Sequence, residues 1–173
     1  MGDFEIIIKD SFFEEKIFIK LKQIIDHKVY SPSLTILRNE NNHPWFSAHP
    51  DKEIPDMVKE KCEKILNKKL EINFCVYSLV ATAEALPHRD ISPKCDYQTI
   101  IYVKGNTNLH KGTGFYTLNE KTKEHELNTH VGFKENRGII WRSNAVHSPL
   151  NWASKEPSKR YSIICQFKEM NKM

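Results

Sequence analysis

The sequence predicts a mainly β protein with its helices at the N-terminal end, built as an antiparallel sandwich or barrel. Three observations predict it. Apolar residues recur at helical spacing only before about residue 70. Short β-prone runs follow at 71–83, 97–104, 114–118, 127–133, 138–142 and 160–168. Turn signals rather than helices separate those runs: Pro87, Ser92-Pro93, Gly105-Asn106, Lys111-Gly112, Glu135 to Gly138 and Pro157-Ser158. Strands that follow one another without crossover helices pair antiparallel.

Element by element, the chain opens with a strand-like run, Phe4 to Ile8. Ser11 and Glu14 form a capping-box pair, and Phe13, Ile17, Leu21, Ile24 and Ile25 continue at helical spacing. Residues 27–50 are rich in Asn, Ser, Pro and His and read mostly as loop. The cluster His43-Pro44-Trp45-Phe46 suggests that this loop folds back onto the body. A second helix is predicted from about Pro55 to Asn67, with Met57, Val58, Cys62, Ile65 and Leu66 on its apolar side. The length, 173 residues, fits one domain: a strand, helices and loop over 1–69, and a β core over 70–168.

Composition narrows the function classes. Apolar residues make up 39% and charged residues 28%, enough to bury a core and unlike a disordered chain. The net charge of +4 comes from scattered lysines and argues only weakly for a nucleic-acid partner. No apolar run approaches the roughly 18 residues of a membrane span, and the opening MGDFEIIIKD lacks the pattern of a signal peptide. Cys62, Cys75, Cys95 and Cys165 contain no CxxC pair, so they read as reduced thiols of a cytoplasmic protein.

The pattern that carries chemistry is His88-Arg89-Asp90. On an extended chain, residues i and i+2 face one side, so the imidazole and the carboxylate can bite one metal ion together. A second histidine completes the two-histidine, one-carboxylate facial triad of non-haem Fe(II), which leaves open positions for a chelating co-substrate and dioxygen. His147, after the β-prone run Gly138 to Arg142, is the best candidate. Arg160 opens the final strand-like run, with Ser162 on the same face; a guanidinium forks two hydrogen bonds to a carboxylate.

The order H-x-D, H, R-x-S, carried by His88, Asp90, His147, Arg160 and Ser162, resembles the 2-oxoglutarate and Fe(II)-dependent oxygenase superfamily. Gln98 to Val103, Gly112 to Tyr116 and Gly138 to His147 also look like strands of that family. The resemblance implies a double-stranded β-helix, or jelly-roll, core. It implies Fe(II) held by His88, Asp90 and His147, with dioxygen and 2-oxoglutarate as co-substrates. Arg160 and Ser162 would bind the 2-oxoglutarate, helped by Tyr77 or, more weakly, by Tyr102. The reaction it implies is substrate oxidation, usually hydroxylation, coupled to decarboxylation to succinate.

The demethylase branch that acts on nucleic acids typically carries a second arginine where this chain has Gln166. Hydroxylation of an amino-acid side chain, free or in a peptide, is therefore the favoured reading. The alternatives are oxidative demethylation of nucleic acid and a non-catalytic jelly-roll binding module.

Other motifs have plainer readings. Gly112-Thr113-Gly114 lacks the third glycine of a dinucleotide fingerprint and reads as a turn; His125 and His130 read as a polar edge; Trp45, Trp141 and Trp152 read as core. Arg89 should point away from the ligands on either side of it.

Overall fold

The computed structural model describes residues 5–32, 45–80, 86–90, 95–105, 110–150 and 159–170. In chain order the elements are β1 (Ile6–Lys9), α1 (Glu15–His27), β2 (Ser31–Pro32), β3 (Trp45–Ala48), α2 (Glu53–Leu66), β4 (Leu70–Val80), β5 (Tyr97–Gly105), β6 (Gly112–Leu118), β7 (His125–Gly132), β8 (Gly138–Arg142), β9 (Val146–Leu150) and β10 (Arg160–Glu169). A large sheet runs β1-β8-β5-β10-β4-β3-β2 and a small one β7-β6-β9, with every pairing antiparallel.

The large sheet separates two cores. On one face, Tyr77, Ile101, Ile163, Cys165 and Phe167 pack against Phe18, Leu21 and Ile25 of α1 and Val58 and Cys62 of α2. On the other, Ile100, Tyr102, Ile139 and Trp141 meet Phe115 and Val131 of the small sheet. The period of two assigns alternate residues of one strand to the two cores. Along β10, Ile163, Cys165 and Phe167 face the helices, which turns Arg160, Ser162, Ile164 and Gln166 toward the interior between the sheets.

This is the β sandwich read from the texture after residue 70, and the helices of the described residues lie within 15–66. Four details differ. The capping box does not form: Ser11 takes a left-handed φ of 52°, and α1 starts after Glu14 with no side-chain cap. Instead, Asn136 grips the incoming chain. Its Oδ1 accepts from the Phe13 N–H at 2.9 Å, its Nδ2 donates to the Phe13 carbonyl at 2.8 Å, and its own carbonyl accepts from the Phe12 N–H at 2.8 Å. Residues 27–50, read mostly as loop, contain β2 and β3, which extend the edge beside β4. Gly112-Thr113-Gly114 opens β6 rather than forming a turn, because Gly112 lies flat against the Val131 carbonyl. Lastly, β9 was hidden by Pro149, which is tolerated because β9 is the outer strand of its sheet.

Two outcomes follow from the N-terminal clasp. A Cβ added at Gly138 would stand 2.2 Å from the Phe12 ring. Gly138→Ala should therefore destabilise by roughly 1–3 kcal/mol, read as a lowered denaturant midpoint. Beside it, Asp10 accepts hydrogen bonds from Arg137 and Lys134, which together hold its carboxyl far below the ordinary carboxylate range against the opposing effect of burial. The folded pKa is depressed, so this contribution is present above the ordinary carboxylate pKa and fades as pH falls toward the folded value. Asp10 is 40% exposed, which limits the effect to about 1 kcal/mol or less. Asp10→Asn should lower stability at neutral pH by about that amount, lose its effect as pH falls, and so flatten that part of the acid unfolding curve.

Candidate metal centre

The site starts from one pair of backbone hydrogen bonds. His88 and His147 form an isolated antiparallel bridge: the His88 N–H donates to the His147 carbonyl at 3.0 Å, and the His147 N–H to the His88 carbonyl at 2.9 Å. Directly opposed residues project to one face, so the imidazole rings lie 4.9 Å apart between centroids. Asp90, two residues on from His88, turns its carboxylate between them. Its oxygens lie 3.6 Å from His88 Nε2 and 3.6 Å from His147 Nε2. One ligand atom from each of the three side chains falls within a 4.8 Å span, the one such group of three among the described residues.

Both rings are oriented from behind. His88 Nδ1 is 2.9 Å from the Leu86 carbonyl and His147 Nδ1 is 3.2 Å from the Ala145 carbonyl. A carbonyl only accepts, so these contacts assign the proton to Nδ1 and leave the Nε2 lone pairs aimed at the shared centre. Trp141 packs edge-on against His147 at 5.1 Å, and Phe115 lies 6.4 Å from the same ring. Burial pushes the His88 pKa down, with His147 adding to the effect. Burial would raise Asp90, but His147, His88 and the Gln98 amide outweigh it and hold the carboxyl below its ordinary range. Two neutral imidazoles and one carboxylate are the donor set that Fe(II) takes in facial-triad sites. Ligand atoms 3.6 Å apart need to draw in only slightly around an ion with bonds of about 2.1 Å.

The interior face of the large sheet forms the floor. Its register sets out side chains in rows: Trp141, Gln98, Gln166 and Phe74; then Ile139, Ile100, Ile164 and Val76; then Tyr102, Ser162 and Ser78; then Arg160 and Val80. Successive rows are two residues, or about 6.7 Å, apart. Arg160 is 2% exposed. Its Nη1 donates to the Gly112 carbonyl at 3.3 Å and its guanidinium lies over Tyr102, 5.8 Å from the ring centroid. Ser162 is fully buried, and its hydroxyl has no hydrogen-bond partner among the described residues.

The structure places the two tyrosines on opposite faces of the large sheet. Tyr77 lies on the helix-facing side of β4, where its hydroxyl contacts Asp51 at 3.4 Å and Lys28 stands over its ring. It therefore faces away from Arg160, because the strand period gives it the other side of the sheet. Tyr102 faces the interior instead and shares a 2.6 Å hydrogen bond with Thr113. The alternation Gln98, Ile100, Tyr102 along β5 could have revealed this. Arg89 is exposed, as its place between two ligands requires. His125 and His130 stay on β7 and belong to no ligand cluster among the described residues. Trp141 is buried core; Trp152 and the side chain of Trp45 lie outside the described residues.

No family model and no curated protein sequence matches the chain. Solved structures do. A prolyl hydroxylase from Trichoplax adhaerens, in complex with a hypoxia inducible factor oxygen degradation domain peptide, matches at a TM-score of 0.63 and 12% identity, over 95% of this chain and 83% of that one. A 2OG-Fe(II) oxygenase family protein from Burkholderia pseudomallei matches at 0.60 and 8%, over 95% and 85%. The epimerase SnoN, in complex with Fe3+, alpha ketoglutarate and nogalamycin RO, matches at 0.63 and 10%, over 94% and 78%.

The cluster generates a direct outcome. Titrated anaerobically with Fe(II) or Mn(II), the protein should bind about one ion per chain. His147→Ala, which removes one of three ligands, should weaken binding by roughly 10- to 100-fold, the scale seen when even an outer partner of a ligand is lost. Unchanged affinity in that variant would remove His147 from the site. The double-stranded β-helix of this chain, bearing two histidines and one carboxylate on its inner face, is the fold of the 2-oxoglutarate and Fe(II)-dependent oxygenases.

Proposed function

We propose that the protein is a 2-oxoglutarate-dependent Fe(II) dioxygenase that hydroxylates an amino-acid side chain, free or in a peptide. The observation that carries this reading is a His88, Asp90 and His147 cluster and a buried Arg160 on one enclosed interior. A metal-binding sandwich with no co-substrate has no use for a buried guanidinium. A dicarboxylate that chelates at one end needs a cation at the other. Solved structures of this fold are complexes with partners as different as a peptide and nogalamycin RO.

In this reading, the Nε2 atoms of His88 and His147 and the Asp90 carboxylate hold Fe(II), leaving part of its coordination sphere open. Bound there, iron with 2-oxoglutarate and dioxygen supplies an oxidant for C–H bonds, with succinate and carbon dioxide as co-products. Arg160 grips the distal carboxylate of 2-oxoglutarate with its planar fork. The Ser162 hydroxyl donates to the same carboxylate, and Tyr102 flanks the guanidinium. Leu86 and Ala145 keep the imidazole protons on Nδ1. Ile100, Ile139 and Phe115 line the interior between and exclude water, which strengthens each of these contacts. The four free thiols support a reducing compartment such as the cytoplasm.

The test is succinate release measured against 2-oxoglutarate concentration. Arg160→Ala should raise the apparent 2-oxoglutarate constant roughly 100-fold, about 3 kcal/mol. Arg160→Lys should recover only part of the loss, because an ammonium cannot make the two-pronged contact. Superimposable curves for wild type and Arg160→Ala would sink the assignment.

A further inference from the structure

Two side chains of the floor reach the triad. Trp141 packs edge-on against the His147 ring at 5.1 Å, and the Gln98 amide contributes a hydrogen bond to the Asp90 carboxylate. The two residues are directly opposed across β5 and β8, and both are buried. A glutamine is costly in such a place, since a buried amide lowers stability unless its groups are matched. The match to Asp90 is a loose one. Neither amide atom of Gln98 has a partner at full hydrogen-bonding geometry among the described residues, and neither has the Trp141 indole nitrogen. Asp90, for its part, lies outside every strand, two residues beyond the backbone bridge at His88. The strand that carries Gln98 is the firmer support, because β5 is paired on both sides, with β8 and with β10.

We infer that Gln98 and Trp141 are positioning residues of the metal centre, linked in one chain: the Trp141 indole N–H donates to the Gln98 carbonyl oxygen, and the Gln98 amide nitrogen donates to one Asp90 oxygen. The inference rests on the His88, Asp90 and His147 cluster holding a metal, and it adds the two residues that aim the carboxylate. A carboxylate only accepts and an indole N–H only donates, so the group between them must offer a donor to one and an acceptor to the other. A carboxamide offers both from one planar group. Leucine offers neither, and an ionised glutamate offers no donor. Directly opposed residues have Cβ atoms about 4.5–5.5 Å apart, within reach of both side chains. With one oxygen engaged by Gln98, Asp90 presents the other to the ion. The chain ends on the indole that braces His147, so one strand pair orients two of the three ligands, as outer partners of a metal site do.

The probe is Ni(II), which takes the same donors more tightly than Fe(II), titrated calorimetrically into the metal-free protein. Gln98→Leu should weaken Ni(II) binding roughly 10- to 100-fold, the scale for an outer partner of a ligand. Gln98→Met repeats the measurement with a side chain of the same length, should leucine disturb the packing. Trp141→Phe keeps a ring beside His147 and removes only the N–H; it should weaken binding a few-fold, and not at all once Gln98 is leucine. The deciding comparison is a double-mutant cycle. In an Asp90→Ala background, which keeps both imidazoles, Gln98→Leu should change the Ni(II) affinity no further, because the amide acts through that carboxylate. A merely structural glutamine would cost the same in both backgrounds. Equal affinity in wild type, Gln98→Leu and Gln98→Met overturns the inference, as does an equal loss with and without Asp90. If Asp90→Ala alone binds Ni(II) as wild type does, the triad fails and the inference with it. The oxygenase reading is decided separately, by 2-oxoglutarate binding, which this titration does not contain.

Discussion

The reciprocal backbone hydrogen bonds between His88 and His147 are the constraint on which the rest of the site depends. They bring two segments nearly sixty positions apart to one point and set both imidazoles on the same face. Asp90 then needs no special loop, since two residues of extended chain deliver its carboxylate between the rings. A shift of one residue in that pairing would turn one histidine outward and leave Asp90 facing a single ligand. The carbonyls of Leu86 and Ala145 add the final element, each fixing a ring from two residues upstream.

The same period of two organises the floor. Each strand of the large sheet gives one set of side chains to the helix-side core and the other to the interior. The helices therefore stabilise the protein without entering the site, while the interior set is free to be polar. Row by row, the floor changes from amides beside the metal cluster, to isoleucines, to hydroxyls, to the Arg160 guanidinium. Such segregation suits two ligands approaching one centre from different sides. The Ser162 hydroxyl, buried without a partner among the described residues, is a cost in stability at the place where binding would compensate for it.

Much of this was legible in the sequence because the ligands sit on extended chain, where spacing reports direction. H-x-D placed His88 and Asp90 together, and the run before His147 pointed to a neighbouring strand. Arg160 and Ser162 followed by the same alternation. The tyrosine at the arginine was not legible: both Tyr77 and Tyr102 alternate on strands, and only the packing of the helices shows which face is interior. The N-terminal clasp was hidden for a similar reason. Ser11 and Glu14 have the right types for a local cap, but Asn136, far along the chain, takes the backbone groups instead. Pro149 masked β9, since proline argues against a strand unless the strand is known to lie at an edge.

In the proposed function, one interior holds a metal and a 2-oxo dicarboxylate together. An anaerobic titration of the protein with Fe(II) and then 2-oxoglutarate, followed by visible absorption, tests it most directly. Chelation of the iron by the 2-oxo acid group should give a weak charge-transfer band that saturates near one equivalent of each. A protein that binds the metal but develops no such band on adding 2-oxoglutarate would be a metal-binding jelly roll, and Arg160 would hold no co-substrate.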